Sequence, residues 1–230
     1  MSTAITKDIV CPNCGQTQKL ELYTSVNAQE NPELRRDILR ESIFDWECRH
    51  CGYTAQMAYP TIYHDPELGF MVCLRPSGAV SKPETIPAVK ELIKRSVKNP
   101  QELKEKILIF EAGLDDAAIE LVKNAIVTVI RKSFDGNVHA YFCKAEEDEL
   151  KFAIFIKGRQ EPIYQKTQMA VYRQSQEVLR TLDYKDPDDF AVVNEIYKTY
   201  FVAEHPARTC LQIAKIPLGA LIEIEAIALK

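Results

Sequence analysis

Four of the seven cysteines fall in two matching spacings, Cys11 and Cys14 in CPNCG and Cys48 and Cys51 in CRHCG. Each is a knuckle, with two thiols two residues apart and a glycine behind them that lets the backbone turn beneath a metal. Backbone N–H groups in such turns point at the sulfurs and stabilise their charge. Two knuckles together supply the four thiolates of a tetrahedral zinc site. A closed four-thiolate set leaves no position for water, so the chemistry implied is structural and not catalytic. The gap between knuckles is longer than the ~15–20 residues of the usual spacing. It holds enough chain for a strand, a helix and a second strand, which can return the chain to the first knuckle. A redox C-x-x-C pair would open a helix, whereas both knuckles here are flanked by strand-like sequence. Cys73, Cys143 and Cys210 stand alone and read as small hydrophobes.

The elements that must position these thiols are legible in outline. KLELYTSVN and IFDWEC alternate like strands around a short amphipathic helix that starts near Pro32. YTAQMAYPTIYHD and GFMVCLRP predict two more strands, with a turn over Pro66–Gly69. Trp46 alternates with Phe44 and Cys48 and is expected in the core beneath the knuckle. The stretch 76–88, with three prolines and Gly78, is the linker candidate. Beyond it the pattern becomes helical. Asn99, Pro100 and Gly113 mark the cap, first turn and stop of one helix. Asp115 caps a second, whose stripe is expected at Ala118, Val122, Ala125 and Val129, widened by Ile119, Ile126 and Ile130. A β-hairpin over 137–158, a helix over 168–182, another after Asp186–Pro187 and two strands at 207–216 and 220–229 complete the reading. The fold class is α+β. Its parts are a zinc-ribbon-like β-rich domain at 6–75, an α+β domain at 89–185, and a helix–strand–strand tail at 186–230.

The stretches IVCPNCG, LYTSVNAQENPELRRDIL and FDWECRHCGYTAQMAYPTIYHDPELGFMVCLRP together resemble the CpXC family of bacterial proteins. That family is named for its C-P-x-C motif and carries a second C-x-x-C. The resemblance is specific over 6–75 and continues more loosely through LIFEAGLDDAAIELVKNAI and LKFAIF, to about residue 185. It implies a zinc-ribbon type of domain with one structural Zn2+ held by Cys11, Cys14, Cys48 and Cys51, and it implies no particular activity.

The tail carries a different signature. DDFAVVNEIYKTYFVAEHPARTCLQIAKIPLGALIEIEAIA is similar to the last third of the Rid family, the enamine/imine deaminases also called YjgF. The resemblance implies that Arg208 grips a substrate carboxylate, for which a planar guanidinium fork is suited. It places Cys210 at the pocket and gives Glu223 the task of orienting the hydrolytic water. The departure is as informative. The G-P-Y-S and S-G-Q segments of the family's early strands, which wall a site between subunits, occur nowhere in this chain. The join falls near DPDDFAVVNEIY, as in a chimera of a nearly complete CpXC-like protein with the end of a Rid protein. A helix and two strands cannot bury a self-sufficient core. They are expected to pack on the preceding domain or to pair with another chain, which makes oligomerisation through the C-terminal strands an expectation. In the structural alternative Glu223 and Glu225 are surface carboxylates on a half-buried strand, and Arg208 is a cation at a strand start.

Other candidates carry less. His64 in IYHD reads as the end of a strand before the Asp65–Pro66 turn, with a ligand or acid–base role as its alternative. His50 lies inside the second knuckle and is expected to face solvent, and His139 and His205 are isolated. No G-x-x-x-x-G-K, G-x-G-x-x-G, G-x-S-x-G or H-E-x-x-H motif is present. Hydrophobic residues at 46% and charged residues at 27% are ordinary for a globular chain. The net charge of −4 gives no overall pull toward nucleic acid, although a local basic patch is compatible with it. No apolar run of ~18 residues suggests a membrane span, and MSTAITKDIV has no leader-like apolar core. A cytoplasmic protein is expected, in a compartment where paired cysteines serve metals more often than disulfides. The functional expectation is a non-enzymatic zinc-binding interaction module with an unknown protein partner; the alternative is an imine/enamine deaminase using Arg208, Glu223 and Cys210.

Overall fold

The computed structural model describes residues 2–76, 92–134 and 137–181. The chain divides into two compact units, Met1–Ser175 and Gln176–Lys230. Within the second unit only Gln176–Thr181 lies among the described residues. The helix expected after Asp186, the strands at 207–216 and 220–229, and most of the linker candidate lie outside them.

The first unit opens with a hairpin of β1 (Thr3–Val10) and β2 (Thr17–Asn27). The first knuckle is the turn of this hairpin, so pairing of Val10 with Thr17 closes the base of the metal loop. Helix α1 (Pro32–Leu39) follows and buries Leu34 and Ile38, the apolar pair one turn apart. A short 3-10 turn at Ser42–Phe44 leads into the ribbon of β3 (Asp45–Glu47) and β4 (Thr54–Gln56), which the second knuckle joins. Strands β5 (Thr61–Asp65) and β6 (Phe70–Leu74) form the next hairpin. Its turn is fixed by Asp65, whose Oδ1 accepts from the Glu67 and Leu68 N–H groups at 3.1 and 3.0 Å.

Strand β7 (Ile93–Val97) lies beyond the Pro-rich stretch and runs parallel to β6. The five-stranded sheet therefore has the order β1-β2-β5-β6-β7. Residues from both sides of that stretch share one core, in which Val26, Ile38, Phe44, Tyr63, Phe70 and Val72 pack with Val97, Leu103, Ile107 and Phe110.

Helix α2 (Pro100–Glu111) starts as expected, with the Asn99 side chain accepting from the Glu102 N–H at 2.8 Å. It stops at Gly113, which takes the left-handed φ of 66°. Arg35 of α1 forks onto Glu111 of α2, with both N–H···O distances at 2.6 Å. Helix α3 (Asp116–Arg131) is capped by Asp115, which accepts from the Ala117 and Ala118 N–H groups. Its apolar stripe is rotated from the expected one. Ala118, Ile119 and Val122 are buried and Ile126, Val127 and Ile130 pack behind them, whereas Ala125 is exposed and Val129 is 65% exposed. The bulky isoleucines set the buried face in the second half of the helix, where Ala125 and Val129 turn to water.

Strands β8 (Val138–Ala145), β9 (Glu149–Ile156) and β10 (Ile163–Gln168) form a second, antiparallel sheet in the order β10-β9-β8. Its inner face, Val138, Ala140, Ile154 and Ile156, packs on Ile126, Val127 and Ile130 of α3. Helix α4 (Met169–Thr181) follows, and Tyr172 from its first turns is buried, its hydroxyl accepting from the Asp115 N–H at 2.8 Å. Among the described residues no helix is long and apolar enough to cross a membrane.

Candidate metal centre

The two knuckles have the same backbone. In the first, the Cys11 N–H donates to the Gln16 carbonyl at 2.8 Å and the Gly15 N–H to the Cys11 carbonyl at 2.9 Å. In the second, the Cys48 N–H donates to the Tyr53 carbonyl and the Gly52 N–H to the Cys48 carbonyl, both at 2.8 Å. Gly15 and Gly52 take φ of 72° and 70°, a conformation that a side chain strains. This repeated turn places each pair of sulfurs on one side of its loop.

The loops then face each other. Cys11 Sγ lies 3.7 Å from Cys51 Sγ, and Cys14 Sγ lies 3.7 Å from Cys48 Sγ. All four sulfurs fall within 4.8 Å of one another. A tetrahedral zinc with ~2.3 Å bonds requires sulfurs about 3.8 Å apart, so the cluster is close to that shape. A disulfide would need ~2.05 Å, and the cysteines are free thiols. The residues present therefore fit a four-coordinate metal ion. Among the described residues this is the one group of three or more ligand side chains that could hold a metal.

Burial gives the site an inside and an outside. Cys11 and Cys48 are each 1% exposed and pack on Trp46, with Ile9, Leu20, Ala55 and Met57 around them. Trp46 lies beneath the knuckles, as its alternation with Cys48 predicts, and Tyr53 meets its ring edge-on at 6.2 Å. Cys14 and Cys51 face solvent.

The sulfurs also differ in their hydrogen bonds. Asn13 Nδ2 donates to Cys51 Sγ at 3.5 Å, and with a backbone hydrogen bond at Tyr53 it lowers that thiol to about 6. Cys14 is drawn down by a backbone hydrogen bond at Gln16, yet lost hydration and the Cys51, Cys11 and Cys48 thiols hold it up at about 12. The thiols titrate together, and ionising one opposes ionising its neighbour. A second negative charge in this space calls for a cation, and a divalent metal supplies one.

One residue that the sequence did not flag holds the loops together. Gln18 Nε2 donates to the Glu47 carbonyl at 3.0 Å, and Gln18 Oε1 accepts from the Arg49 N–H at 2.9 Å. It staples the strand after the first knuckle to the two residues that flank Cys48 at the start of the second. Nothing in its type or spacing announces the role. Gln18→Ala removes two hydrogen bonds worth about 1 kcal/mol each. The expected result is a loss of about 2 kcal/mol in unfolding free energy and weaker metal retention against a chelator, both read by titration.

The remaining sequence candidates lie elsewhere. His50 is exposed in the second knuckle, His64 sits on β5 paired with Met71, and His139 is exposed on β8; none joins the thiol cluster. Cys73 is buried in β6, as a small hydrophobe would be. Arg208, Cys210, Glu223, Glu225 and His205 lie outside the described residues.

A family model described as CpXC protein matches residues 9–123, half of the 230-residue chain. The chain belongs to the CpXC family. The CpXC match contains all four cysteines and extends through α2 into α3. A second model, described as Endoribonuclease L-PSP, matches residues 163–230, starting at β10 and so well before residue 188. RutC family protein UK114 of Drosophila melanogaster is 52% identical over 52 residues, 23% of this CpXC chain and 38% of that protein. The 2-iminobutanoate/2-iminopropanoate deaminases of Rattus norvegicus and Homo sapiens are 58% and 53% identical over 45 residues, 20% of this chain and 33% of theirs. These relatives match the C-terminal part, and the chain spans a third to two fifths of the length of the curated relatives named here. No solved structure matches the chain.

A second polar cluster, also absent from the sequence reading, joins α2, α3, β7 and β8. Arg95 forks onto Asp116 with both distances at 2.7 Å, and Lys106 Nζ reaches Asp116 at 3.0 Å and Glu120 at 2.9 Å. Lys123 Nζ reaches Glu105 at 2.7 Å, and Glu105 also accepts from the Phe142 N–H at 2.6 Å. Burial raises the Glu105 carboxyl, against the pull of Lys123 and the Phe142 N–H. The cluster borders a cavity of about 440 Å³. Its charges satisfy one another, so it reads as a buried staple between elements.

Proposed function

We propose that Cys11, Cys14, Cys48 and Cys51 hold one structural zinc ion, and that this CpXC protein is a non-enzymatic module that binds a partner protein. The single observation that carries the metal reading is the convergence of four free thiols at tetrahedral spacing. Four soft thiolates in this geometry select zinc over the hard cations. A site closed by four sulfurs has no open coordination position, which separates it from catalytic zinc. Zinc here ties the β1–β2 turn to the β3–β4 ribbon and so shapes a small exposed lobe. Free thiols in such numbers suit a cytoplasmic setting. Metal analysis of the full chain is expected to return about one zinc per chain, lost on replacing Cys11 and Cys48 by serine. A folded, metal-free protein would contradict the proposal.

A second reading rests on the deaminase-like match at the C-terminus. In it Arg208 holds a substrate carboxylate, Glu223 orients water and Cys210 borders the pocket, with the C-terminal strands pairing between chains. Ammonia release from 2-iminopropanoate, abolished by Arg208→Ala, would support it. No release, or release unchanged in that variant, removes it.

A further inference from the structure

The two knuckles match in backbone, and they match in how that backbone serves their outer sulfurs. Cys14 takes a backbone hydrogen bond at Gln16 and Cys51 takes one at Tyr53, in each case two residues further on. One bond breaks the symmetry. Asn13, the third residue of the first knuckle, donates from Nδ2 to Cys51 Sγ of the second at 3.5 Å, across 38 residues of sequence. His50 holds the corresponding place in the second knuckle. It is exposed and donates to no sulfur among the described residues.

The asymmetry falls where the site is least held. Cys11 and Cys48 are each 1% exposed and are packed against Trp46 and its neighbours. Cys14 and Cys51 face solvent. A cysteine sulfur turns on one torsion with three staggered positions. Packing selects among these for a buried thiol, whereas an exposed one depends on its hydrogen bonds. Those made to an ionised acceptor are the strong ones. Cys51 has a side-chain amide besides its backbone donor. Cys14 has its backbone donor and the facing thiols alone.

The bond is separable from the fold of the loops. Gln18 already ties β2 to Glu47 and Arg49, and Trp46 packs beneath the buried sulfurs of both knuckles. Removing the Asn13 side chain therefore leaves the loops facing each other and changes the hold on one sulfur.

We propose that Asn13 is a positioning residue of the metal centre. Its amide N–H keeps Cys51 turned toward the other three sulfurs and so slows metal loss. Cys14, without such a donor, is the sulfur that opens first to solvent. This role presupposes the zinc reading above and assigns the edge at which the site gives way. Partners of metal ligands typically change metal affinity about 10–100-fold when removed.

Two measurements on the zinc-loaded full chain test it. Mixing with an excess of chelating dye gives the rate of zinc release. Partial labelling with N-ethylmaleimide, mapped by mass spectrometry, gives the order in which the four thiols react. Wild type is expected to label at Cys14 before Cys51. Asn13→Ala is expected to release zinc about tenfold faster and to label Cys51 as early as Cys14, with unchanged far-UV circular dichroism. Asn13→Asp keeps the shape and turn preference of asparagine. It lacks the N–H and sets a negative charge beside the sulfur, so it is expected to release zinc faster still. His50→Ala is expected to release at the wild-type rate. Release at the wild-type rate from Asn13→Ala or Asn13→Asp, or labelling of Cys51 first in wild type, would each overturn the proposal. Equal acceleration in His50→Ala would also do so, because it would trace the effect to loop shape. A wild-type chain that binds no zinc removes this role together with the zinc reading. A zinc-loaded chain that fails the Asn13 tests removes this role alone.

Discussion

Removing the metal is expected to loosen the knuckle lobe while leaving the main sheet folded. The two regions have separate cores. Cys11, Cys48 and Trp46, with four partly buried neighbours, form the small one. The thirteen buried residues from Val26 to Phe110 form the large one. Strands of three residues such as β3 and β4 are not independently stable in water, so in the proposed zinc-bound state the metal supplies what packing does not. Structural zinc contributes about 10–16 kcal/mol of apparent binding free energy in small zinc modules. Its loss far exceeds what the small core can return. The chain has a single tryptophan, Trp46, and it lies under the sulfurs. Chelation, or replacement of Cys11 and Cys48 by serine, is therefore expected to red-shift and quench its fluorescence. Far-UV circular dichroism should retain most of its signal. A tryptophan spectrum that ignores chelation would show that the lobe does not depend on metal.

The next largest effect is expected at Asp116. Its carboxylate is buried and meets Arg95 and Lys106. Burial pushes its carboxyl up, but the two cations outweigh this and hold it below the usual carboxylate range. Asp116→Asn leaves Lys106 with one carboxylate and Arg95 without its fork, a change of about 3 kcal/mol for a largely buried network. The pH dependence has a definite sign. A depressed folded-state pKa contributes stability that is complete above the unfolded value, near 3.9. It is lost as pH falls through the lower folded value. Urea unfolding should therefore separate wild type from Asp116→Asn at pH 7, and the gap should close as the pH is lowered below about 4. A gap that stays constant into acid would mean that the carboxylate's charge is not what stabilises.

How much of this was legible in the sequence depended on whether a feature is local. The knuckles were, because spacing and glycine position define the turn, and the Asn99 and Asp115 caps were for the same reason. The three strands missed, β1, β7 and β10, are all edges of their sheets. An edge strand need not bury either face. TAITKDIV, IKRSV and IYQKTQ therefore lack the alternation that marked β2 or β9, and they become strands through the neighbour they pair with. In α3 the expected stripe was broad, and packing against β8 and β9 drew in its isoleucine side while Ala125 and Val129 were left in water. Gln18 and the Asp116–Glu105 network were illegible in another way. A glutamine on a strand and acids and lysines on helices look solvated until the tertiary fold sets them against partners far along the chain.

The central claim is that four thiolates close around one metal ion. X-ray absorption at the zinc edge of the purified full chain tests it most directly. The account predicts a first shell of four sulfurs at about 2.3 Å and no oxygen or nitrogen ligand. A shell with a light-atom ligand, or with fewer than four sulfurs, would contradict it and reopen the site to chemistry at an exchangeable position.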